Sequence, residues 1–508
     1  MVDVLFITPN SSEKAYQELS KTFSAIEPPT WSLLLAESCR SKGFSVAILD
    51  ADAERLGLDN CVKRIEEINP RLILFVLYGQ NPNSGTTSMI GAIELSNYLK
   101  DSGVKNPIGF VGSHTSALPR EVLAFDSVDF VLLNEGTYAL HNLLRSDLVT
   151  NLDKIKGIGH KVFDGSDLNI ILNEPENPVP QDRMDIDLPG YAWDLLPYKV
   201  KPLDMYRAHF WHAGFNHRKR SPFAAIYTSL GCQFACSFCM INIVNRIDNS
   251  ELINASNSRG MRFWSVEWVK KELKKLADMG VETVRISDEM FFLNKKYYRP
   301  ILQSIIDDEY KFNMWTYSRI DTVREDALEL FKKSGVNWLA LGVEAGNQLV
   351  RQEVSKGSFK EVNIRDICKQ INDYDINIIS NFIFGFPEDN HETMNQTLNL
   401  ALELNSETAN FYPCQALPGS PLYTKAKIEG IELPKSYSEF GFLTYDSKPM
   451  ATKYVSSSEV LEFRDNAWQT YFTNPSYLNL VEKKFGSEEK DNVIKMSKIK
   501  LKRKLLGD

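Results

Sequence analysis

Two long stretches of this chain alternate short apolar segments with longer amphipathic segments, as parallel strands and their connecting helices do. The first stretch spans residues 1–150, and the second lies within residues 216–430. Strands that are joined through helices pair in parallel, because a parallel pair needs a long crossover connection. At 508 residues the chain is long enough for two to four domains. The pattern therefore predicts an α/β protein with two separate parallel sheets.

The first stretch is predicted to form a doubly wound domain, with helices on both faces of one sheet. Ligands of such sheets bind outside the carboxyl ends of the strands. The predicted strands are Val2–Thr8, Phe44–Asp50, Arg71–Tyr78, Pro107–Gly112 and Val128–Leu133, and the predicted helices are Trp31–Ser41, Cys61–Ile68 and Thr87–Lys100.

Six strand–helix units in the second stretch suit a partial (β/α)6 barrel that is open on one side. Functional groups of parallel barrels collect at the carboxyl ends of the strands. Each predicted strand is followed here by polar or glycine-containing segments, so the prediction is one site built from all six strand ends. The predicted strands are Ala224–Ser229, Thr283–Ser287, Asn313–Tyr317, Trp338–Val343, Ile376–Phe384 and Thr408–Tyr412.

Residues 151–215 and 431–508 lack this alternation. The first of these segments contains six prolines and is predicted to be a connector between the domains. Near its end lie His209, His212 and His217, which could bind a metal or line a cleft, although ordinary polar packing is the simpler explanation. The second segment is predicted to be a small appended region that packs on the barrel.

Three cysteines, Cys232, Cys236 and Cys239, follow the first predicted strand of the barrel with the spacing C-x-x-x-C-x-x-C. Three thiolates can hold a cubane iron–sulfur cluster and leave one iron without a protein ligand, whereas electron-transfer clusters are closed by four cysteines. An open coordination position is typical of a metal that does chemistry. A zinc half-site would need a fourth ligand, and a disulfide framework is not expected in a long chain without a signal peptide.

Composition limits the class of protein, its partners and its expected location. Hydrophobic residues make up 43% of the chain and charged residues 24%, as in ordinary globular proteins. The net charge of −8 argues against a broad nucleic-acid interface. No apolar run is long enough to cross a bilayer. Cysteines without a secretory signal favour a cytoplasmic protein, with no nucleic-acid partner and no membrane span.

The cysteine loop, with Phe238 directly before the third cysteine, resembles the cluster loop of the radical S-adenosylmethionine (radical SAM) superfamily. The resemblance implies a 4Fe-4S cluster whose open iron binds S-adenosylmethionine through the amino and carboxylate groups. It also implies a site for that molecule at the barrel strand ends. The residues expected to contact it are Phe238, Asp288, Glu289, Ser318, Arg319, Glu344, Gly385 and Phe386.

The chemical groups of S-adenosylmethionine suggest which of these residues contacts which part of the molecule. Its ammonium group needs a carboxylate, for which Glu289 is expected by resemblance and Asp288 is a close competitor. Its carboxylate and ribose need cations or hydroxyls, which Ser318 and Arg319 supply. Glu344 lies in the position of the superfamily's G-x-E motif. The adenine is expected between Phe238 and the turn of Gly385 and Phe386. For each carboxylate, a capping or salt-bridge role stays open.

The first stretch is similar to the cobalamin-binding domain that precedes many radical SAM cores. The similarity lies in Gly112-x-His114 and in Asn134-Glu135-Gly136, ahead of the cysteine loop. The D-x-H-x-x-G signature of proteins that supply a histidine to cobalt does not occur in the sequence, so no histidine of that motif is expected on cobalt. A nucleotide-type fold that holds another ligand is the alternative. The expected cobalamin contacts are Asn10, Gly79, Gly112, Ser113, His114, Glu135 and Gly136.

These resemblances imply a radical enzyme that is a cobalamin-dependent C-methyltransferase. It would act on a small molecule, a peptide or a lipid intermediate, and it would need an external one-electron reductant such as flavodoxin or ferredoxin. Cobalt would have to face the open mouth of the barrel, so the two domains are expected to stack face to face. The alternatives are cyclisation, ring contraction or oxidation without methyl transfer, and, outside enzymes, a cobalamin or iron sensor.

Overall fold

The computed structural model of the protein describes residues 2–79, 82–164, 167–250, 253–355, 359 and 361–508. Its N-terminal domain is built on a seven-stranded sheet with the order β2-β1-β3-β4-β5-β6-β7. The first five of these strands pair in parallel. The strands are β1 (Val2–Thr8), β2 (Val46–Asp50), β3 (Pro70–Leu77), β4 (Ile108–Gly112), β5 (Phe130–Leu132), β6 (Ile158–Asp164) and β7 (Asp167–Leu172).

Helices cover both faces of this sheet, which confirms the doubly wound prediction. Successive residues of a strand point to opposite faces. Thus Leu74 of β3 packs with one set of helices, which includes α2 and α7, while Ile73 packs with the other set, which includes α3 and α4. The helices are α1 (Ser12–Tyr16), α2 (Thr30–Ser41), α3 (Leu58–Ile68), α4 (Gly85–Asp101), α5 (Ser113–Ala117), α6 (Pro119–Leu123), α7 (Thr137–Arg145) and α8 (Met184–Asp187).

Strands β6 and β7 form an antiparallel hairpin that extends the first sheet. They lie in the segment that the sequence analysis treated as an irregular connector. Strand β7 is an edge strand with most of its residues exposed, and the outer half of β6 is exposed as well. Both strands carry apolar residues, among them Phe163 and Ile171, but these lie exposed and do not alternate regularly with polar residues, so the hairpin lacks the alternation of a strand with one buried face.

The second sheet has six parallel strands in the order β15-β14-β13-β12-β11-β8 and curls into the predicted partial barrel. Its two edge strands, β8 and β15, leave the barrel open on one side. A separate hairpin, β9 with β10, carries the start of the cysteine loop. The strands are β8 (Phe223–Ile226), β9 (Ser229–Cys232), β10 (Gly260–Phe263), β11 (Thr283–Ile286), β12 (Asn313–Arg319), β13 (Val336–Glu344), β14 (Asn377–Phe384) and β15 (Thr408–Pro413).

Seven helices accompany the barrel strands and three follow them in the C-terminal region. The C-terminal region packs on the β15 side, where Tyr471 donates a hydrogen bond to the Ser406 carbonyl at 2.6 Å. Arg464 donates to the carbonyl of Phe411 at 2.7 Å. The helices are α9 (Val266–Asp278), α10 (Lys295–Asp307), α11 (Glu325–Lys333), α12 (Gln348–Val354), α13 (Ile364–Asp373), α14 (His391–Leu404), α15 (Pro421–Glu429), α16 (Ser457–Phe472), α17 (Pro475–Phe485) and α18 (Ser487–Ser497).

The end of the connector packs beneath the barrel. His212 is buried, and its Nε2 lies 3.2 Å from the carbonyl oxygen of Asn313 at the start of β12. His209 stacks on Trp211 with ring centroids 5.3 Å apart. These two histidines therefore pack as structural residues. In the described part of the chain, no helix has the length and apolar character needed to cross a membrane.

Candidate active site at the barrel mouth

The cysteine loop is fixed at both ends by hydrogen bonds. At its start, the Cys232 N–H donates to Asn242 Oδ1 at 2.8 Å, and the Asn242 amide donates to the Phe234 carbonyl at 3.3 Å. Ser237 donates to the Val354 carbonyl at 2.7 Å and accepts from the Leu422 N–H at 2.8 Å. The loop is thereby held against the ends of the barrel before any metal binds.

The three thiols share one half-buried, electrostatically coupled environment. Burial raises the pKa of Cys232 to about 12 and that of Cys236 to about 11, and it raises the pKa of Cys239 well above its ordinary value. Repulsion among the thiolates and from Glu289 or Glu344 adds to this shift. Thiols with raised pKa values would have to release their protons to act as iron ligands, since the thiolate is the ligand.

No group of three or more His, Cys, Asp or Glu side chains among the described residues is placed to hold a single metal ion. A cubane cluster does not need its three thiolates to converge on one point, because each thiolate binds a different iron atom of the cluster. The donor chemistry of three coupled thiols on a fixed loop fits such a cluster.

Glu289 follows β11 and faces the cysteines. Its Oε1 atom is shielded from solvent and has no hydrogen-bond partner. Burial raises its pKa to about 7, against the opposing effect of Arg285. A shielded carboxylate oxygen without a donor costs free energy unless a ligand supplies one. This site therefore fits an ammonium group.

Asp288, the competitor of Glu289 at the sequence level, is bound to the barrel itself. Its carboxylate accepts from the Thr228 N–H and the Thr228 hydroxyl, both at 2.6 Å, and from the Ser229 hydroxyl at 2.5 Å. Because these three donors surround it in a buried position, Asp288 joins β11 to the start of the cluster hairpin.

Arg319 contacts two aromatic rings at the end of β12. Its guanidinium carbon is 3.8 Å from the ring centroid of Phe234 and 4.9 Å from that of Phe359. Two hydrogen bonds of 2.6 and 2.7 Å join it to Asp321, and it also interacts with the Cys236 thiol. The neighbouring Ser318 hydroxyl is 3.0 Å from the Thr322 hydroxyl. This arrangement fixes one cation beside the cysteine loop.

Glu344 ends β13 at an irregularity in its pairing with β14, and its backbone has φ of +66°. This left-handed conformation turns the side chain toward the cysteines, as its electrostatic effect on Cys236 indicates. A Cβ at Gly342 would lie 2.5 Å from Glu344 Oε1, so the glycine leaves room for the carboxylate. Burial raises the pKa of Glu344 to about 7, and Arg319 opposes that shift.

The turn after β14 is built around buried Asp389. Its Oδ2 accepts the N–H groups of Gly385 at 3.1 Å and Phe386 at 3.0 Å. Gly385 has φ of +86°, a conformation that residues with side chains rarely adopt. The Phe386 ring lies 5.5 Å from that of Phe238 on the cysteine loop. The structure thus brings together the two aromatic residues predicted to enclose an adenine.

A cavity lies at the carboxyl edge of the N-terminal sheet, between the ends of β1 and β3 and the start of α2. Gly79 lines it with φ of +59°. The hydroxyl oxygens of Thr8 and Ser32 also lie there, buried and without hydrogen-bond partners. Orphaned buried hydroxyls of this kind fit a polar ligand.

His114 and its neighbours lie inside the domain. The His114 Nδ1 is 3.1 Å from the Thr86 hydroxyl and its Nε2 is 3.3 Å from Glu121 Oε1. Gly112 packs directly on the backbone of β3, and Ser113 is buried beside α4. Both ring nitrogens of His114 are therefore occupied by protein groups.

Glu135 joins the two domains. Its carboxylate accepts from the Val179 N–H and forms a 2.8 Å ion pair with Arg262 of β10. Gly136 has φ of +75° and begins α7. Asn10 is exposed beside a separate shallow cavity, with Glu13 and Lys14. Of the residues predicted to contact cobalamin, Gly79 lines the cavity at the carboxyl edge of the sheet. Asn10 lies beside another cavity, and the remaining residues pack within the domain or contact the other domain.

Residues 226–401 match the radical SAM superfamily, and residues 19–144 match the B12 binding domain. The first match covers the three cysteines and the barrel strands β11 to β14, and the second covers strands β2 to β5 of the doubly wound sheet. The protein is a radical SAM enzyme with a B12-binding domain. Its cofactors are accordingly a 4Fe-4S cluster, S-adenosylmethionine and cobalamin.

Relatives of this radical SAM enzyme extend over both domains. An uncharacterized methyltransferase of Pyrococcus horikoshii is 24% identical and covers 89% of each chain. An anaerobic magnesium-protoporphyrin IX monomethyl ester cyclase of Rubrivivax gelatinosus is 23% identical, over 94% of this chain and 78% of the relative. The structure of the radical S-adenosylmethionine methyltransferase TsrM from Kitasatospora setae matches with a TM-score of 0.66 at 15% identity, covering 94% of this chain and 90% of TsrM. The last match shows a shared fold.

The radical SAM domain also has interior polar residues that the sequence analysis did not single out. Asn381 and Asn410 face each other across β14 and β15 at 3.0 Å, and the Asn381 amide also donates to the Leu341 carbonyl. Tyr317 and Tyr412 lie on the same interior face, and Tyr317 accepts a hydrogen bond from Arg285 at 2.8 Å. Polar residues at alternate positions of otherwise apolar strands are the signal that could have identified this interior wall.

Proposed function

We propose that this enzyme is a cobalamin-dependent C-methyltransferase. The observation that carries the proposal is the direct contact between the two cofactor domains. Asn83, which follows β3 of the B12-binding domain, accepts a hydrogen bond from the Met240 N–H of the cysteine loop at 3.1 Å. The ion pair of Glu135 with Arg262 is a second contact of this kind. Methyl transfer needs these two cofactors at one substrate, and this arrangement supports it.

The proposed cluster ligands are Cys232, Cys236 and Cys239. For S-adenosylmethionine, we propose Glu289 as the partner of the ammonium group, because its shielded oxygen lacks a donor. We propose that Asp288 instead holds the start of the β9–β10 hairpin in place through its three hydrogen bonds.

Around the remaining groups, we propose that Arg319 supplies positive charge near the carboxylate while Asp321 holds it in place. Glu344 and Ser318 are proposed polar contacts of the amino acid or ribose portion. Phe238 and Phe386 are proposed to enclose the adenine, with the turn of Gly385 held by Asp389.

When they are bound, the cluster supplies the electron that cleaves S-adenosylmethionine to a 5′-deoxyadenosyl radical, and cobalamin supplies the methyl group. The protein orients the reacting groups and keeps water away from them. Phe234 and Phe359 serve the second purpose, since they pack against Arg319 and help to shield the cation from solvent. The carboxylates of Glu289 and Glu344 hold negative charge opposite the cationic co-substrate.

On the cobalamin side, we propose that Gly79 lines the binding edge, as its place in the cavity supports. For His114, Glu135 and Gly136 we propose supporting roles within and between the domains. Both ring nitrogens of His114 are occupied by protein groups, so His114 is not proposed as a ligand of cobalt. Gly112 and Ser113 are proposed to shape the sheet edge by close packing, and Asn10 to lie at its periphery.

The proposed substrate site is the barrel interior, lined by Tyr317, Asn381, Asn410 and Tyr412. Its hydroxyls and amides suit a small molecule, a peptide or a lipid intermediate with polar groups. A one-electron reductant such as flavodoxin or ferredoxin is the proposed protein partner, and the cytoplasm is the proposed location. The proposed boundaries are 1–150, 151–215, 216–430 and 431–508, with the β6–β7 hairpin of the second segment added to the first sheet.

The test is anaerobic incubation of the reconstituted enzyme with reductant, S-adenosylmethionine and hydroxocobalamin. We expect 5′-deoxyadenosine from radical generation and S-adenosylhomocysteine from methyl transfer to cobalamin. The Cys236→Ala variant should lose the brown cluster absorbance and both products. An intact cluster in Cys236→Ala would contradict the ligand set, and 5′-deoxyadenosine without S-adenosylhomocysteine would contradict methyl transfer.

A radical cyclase is the second candidate, because the cyclase of Rubrivivax gelatinosus is similar over 94% of this chain. The same experiment separates the two functions. A methyltransferase forms S-adenosylhomocysteine when it methylates cobalamin, whereas a cyclase consumes S-adenosylmethionine only to generate the radical.

A further inference from the structure

Asn83 of the B12-binding domain reaches one of the three cysteines directly. It lies in the short turn between β3 and α4 and is partly buried. Its Oδ1 accepts the Met240 N–H at 3.1 Å, and its Nδ2 lies 3.9 Å from Cys239 Sγ, within hydrogen-bonding distance for sulfur. The side chain thus contacts two consecutive residues of the loop.

Only one orientation of the Asn83 amide satisfies both contacts. The Met240 N–H is a donor and needs the amide oxygen, which leaves the amide N–H₂ toward the cysteine sulfur. Rotating the amide by half a turn would place two donors opposite each other and the oxygen opposite a thiolate. The hydrogen bond to Met240 therefore sets the donor toward Cys239.

Each of the three thiols has a hydrogen-bond donor from a different part of the protein. Cys232 Sγ accepts from the Phe234 N–H at 3.5 Å, within the loop. Cys236 interacts with the Arg319 guanidinium from β12. Cys239 has the nearby Ile241 N–H and, in addition, the Asn83 amide, which comes from the other domain. The electronic environment of the sulfurs is therefore shared between the two domains.

Hydrogen bonds to the sulfur ligands stabilise the reduced, more negative form of an iron–sulfur cluster, and so they raise its reduction potential. We propose that Asn83 is a positioning residue through which the B12-binding domain raises the reduction potential of the cluster in the radical SAM domain. The proposal rests on the three-cysteine ligand set of the proposed function, and it does not depend on methyl transfer.

The test compares the reconstituted full-length wild type with Asn83→Ala and Asn83→Asp. The aspartate keeps an acceptor for the Met240 N–H but removes the donor to sulfur and adds negative charge. Asn97→Ala is the matched control, because Asn97 is exposed on the following helix. Iron content and visible absorbance verify cluster loading, and redox titration followed by electron paramagnetic resonance gives the midpoint potential.

We expect the Asn83→Ala cluster to be reduced about tenfold less readily, a shift of ~59 mV to more negative potential for one electron. Asn83→Asp should shift further in the same direction, and Asn97→Ala should match the wild type. Potentials of both Asn83 variants equal to that of the control would overturn the proposal. If Asn83→Ala loads no cluster, the midpoint potential of Asn83→Asp, compared with that of the control, tests the proposal. A wild type that loads no cluster would instead refute the ligand set.

Discussion

The two parallel sheets of this protein place polar residues at the carboxyl ends of their strands, but they use them differently. At the barrel mouth, Glu289 keeps a shielded oxygen without a donor, and its pKa is raised to about 7. Just after β5 in the B12-binding domain lies a second glutamate, Glu135. Its carboxylate is paired with Arg262 and with the Val179 N–H. A carboxylate left without partners points to a ligand, whereas a fully paired one holds the fold together.

The largest effect is expected from breaking the paired carboxylate. Glu135→Ala leaves Arg262 mostly buried without its partner, which should cost about 3–5 kcal/mol of stability. Denaturant unfolding of the wild type, the two single variants and the Glu135→Ala, Arg262→Ala double variant measures this coupling. Cobalamin affinity should stay within a few-fold of wild type under folding conditions. A large loss of cobalamin affinity without any loss of stability would make Glu135 a ligand.

The unpaired carboxylate should show the opposite behaviour. Glu289→Gln removes the negative charge opposite the ammonium group, and we expect about 100-fold weaker binding of S-adenosylmethionine, or about 2.7 kcal/mol. Its stability should equal or exceed that of the wild type, because a neutral amide is less costly to bury. Calorimetry with the cluster-loaded protein gives the affinity. As a contrast, Asp288→Asn should lower stability, and unchanged affinity in Glu289→Gln would exclude the proposed role.

The raised pKa values of Glu289 and Glu344 predict how the stability of the metal-free protein depends on pH. Between about pH 4.5 and 7 the folded state holds protons that the unfolded state has released, so stability falls as pH rises through this window. Each group contributes at most about 1.4 kcal/mol per pH unit. Unfolding midpoints measured across this range should fall less steeply in a Glu289→Gln, Glu344→Gln double variant. An unchanged slope would show that neither carboxylate is protonated.

The smallest effect is expected at Asn10. This residue was predicted to contact cobalamin, but its side chain is exposed beside a separate shallow cavity. Asn10→Ala should therefore change stability by less than about 0.5 kcal/mol. Cobalamin affinity, measured by the absorbance change on binding, should change less than twofold. A tenfold loss would extend the cobalamin site to the β1 loop.

Sequence pattern located most of the fold because strands and helices have distinct periods along the chain. Strands β11 to β15 begin and end within two residues of their predicted positions. The β6–β7 hairpin was not predicted, because its apolar residues, such as Phe163 and Ile171, are exposed and do not alternate regularly with polar ones. The first barrel strand was predicted too long, since Ser229 belongs to a separate hairpin that carries the cysteine loop.

Local chemistry predicts the cluster loop, because three cysteines at this spacing and directly after a strand leave few other uses for their thiols. Spacing could not assign roles to the remaining polar residues. Whether Asp288 or Glu289 is available to a ligand depends on Thr228 and Ser229, which come from a distant part of the chain. The contact of Asn83 with Cys239 joins residues 156 positions apart. Partners this remote meet only when the two domains pack, so tertiary structure decides which polar groups are used internally and which remain for chemistry.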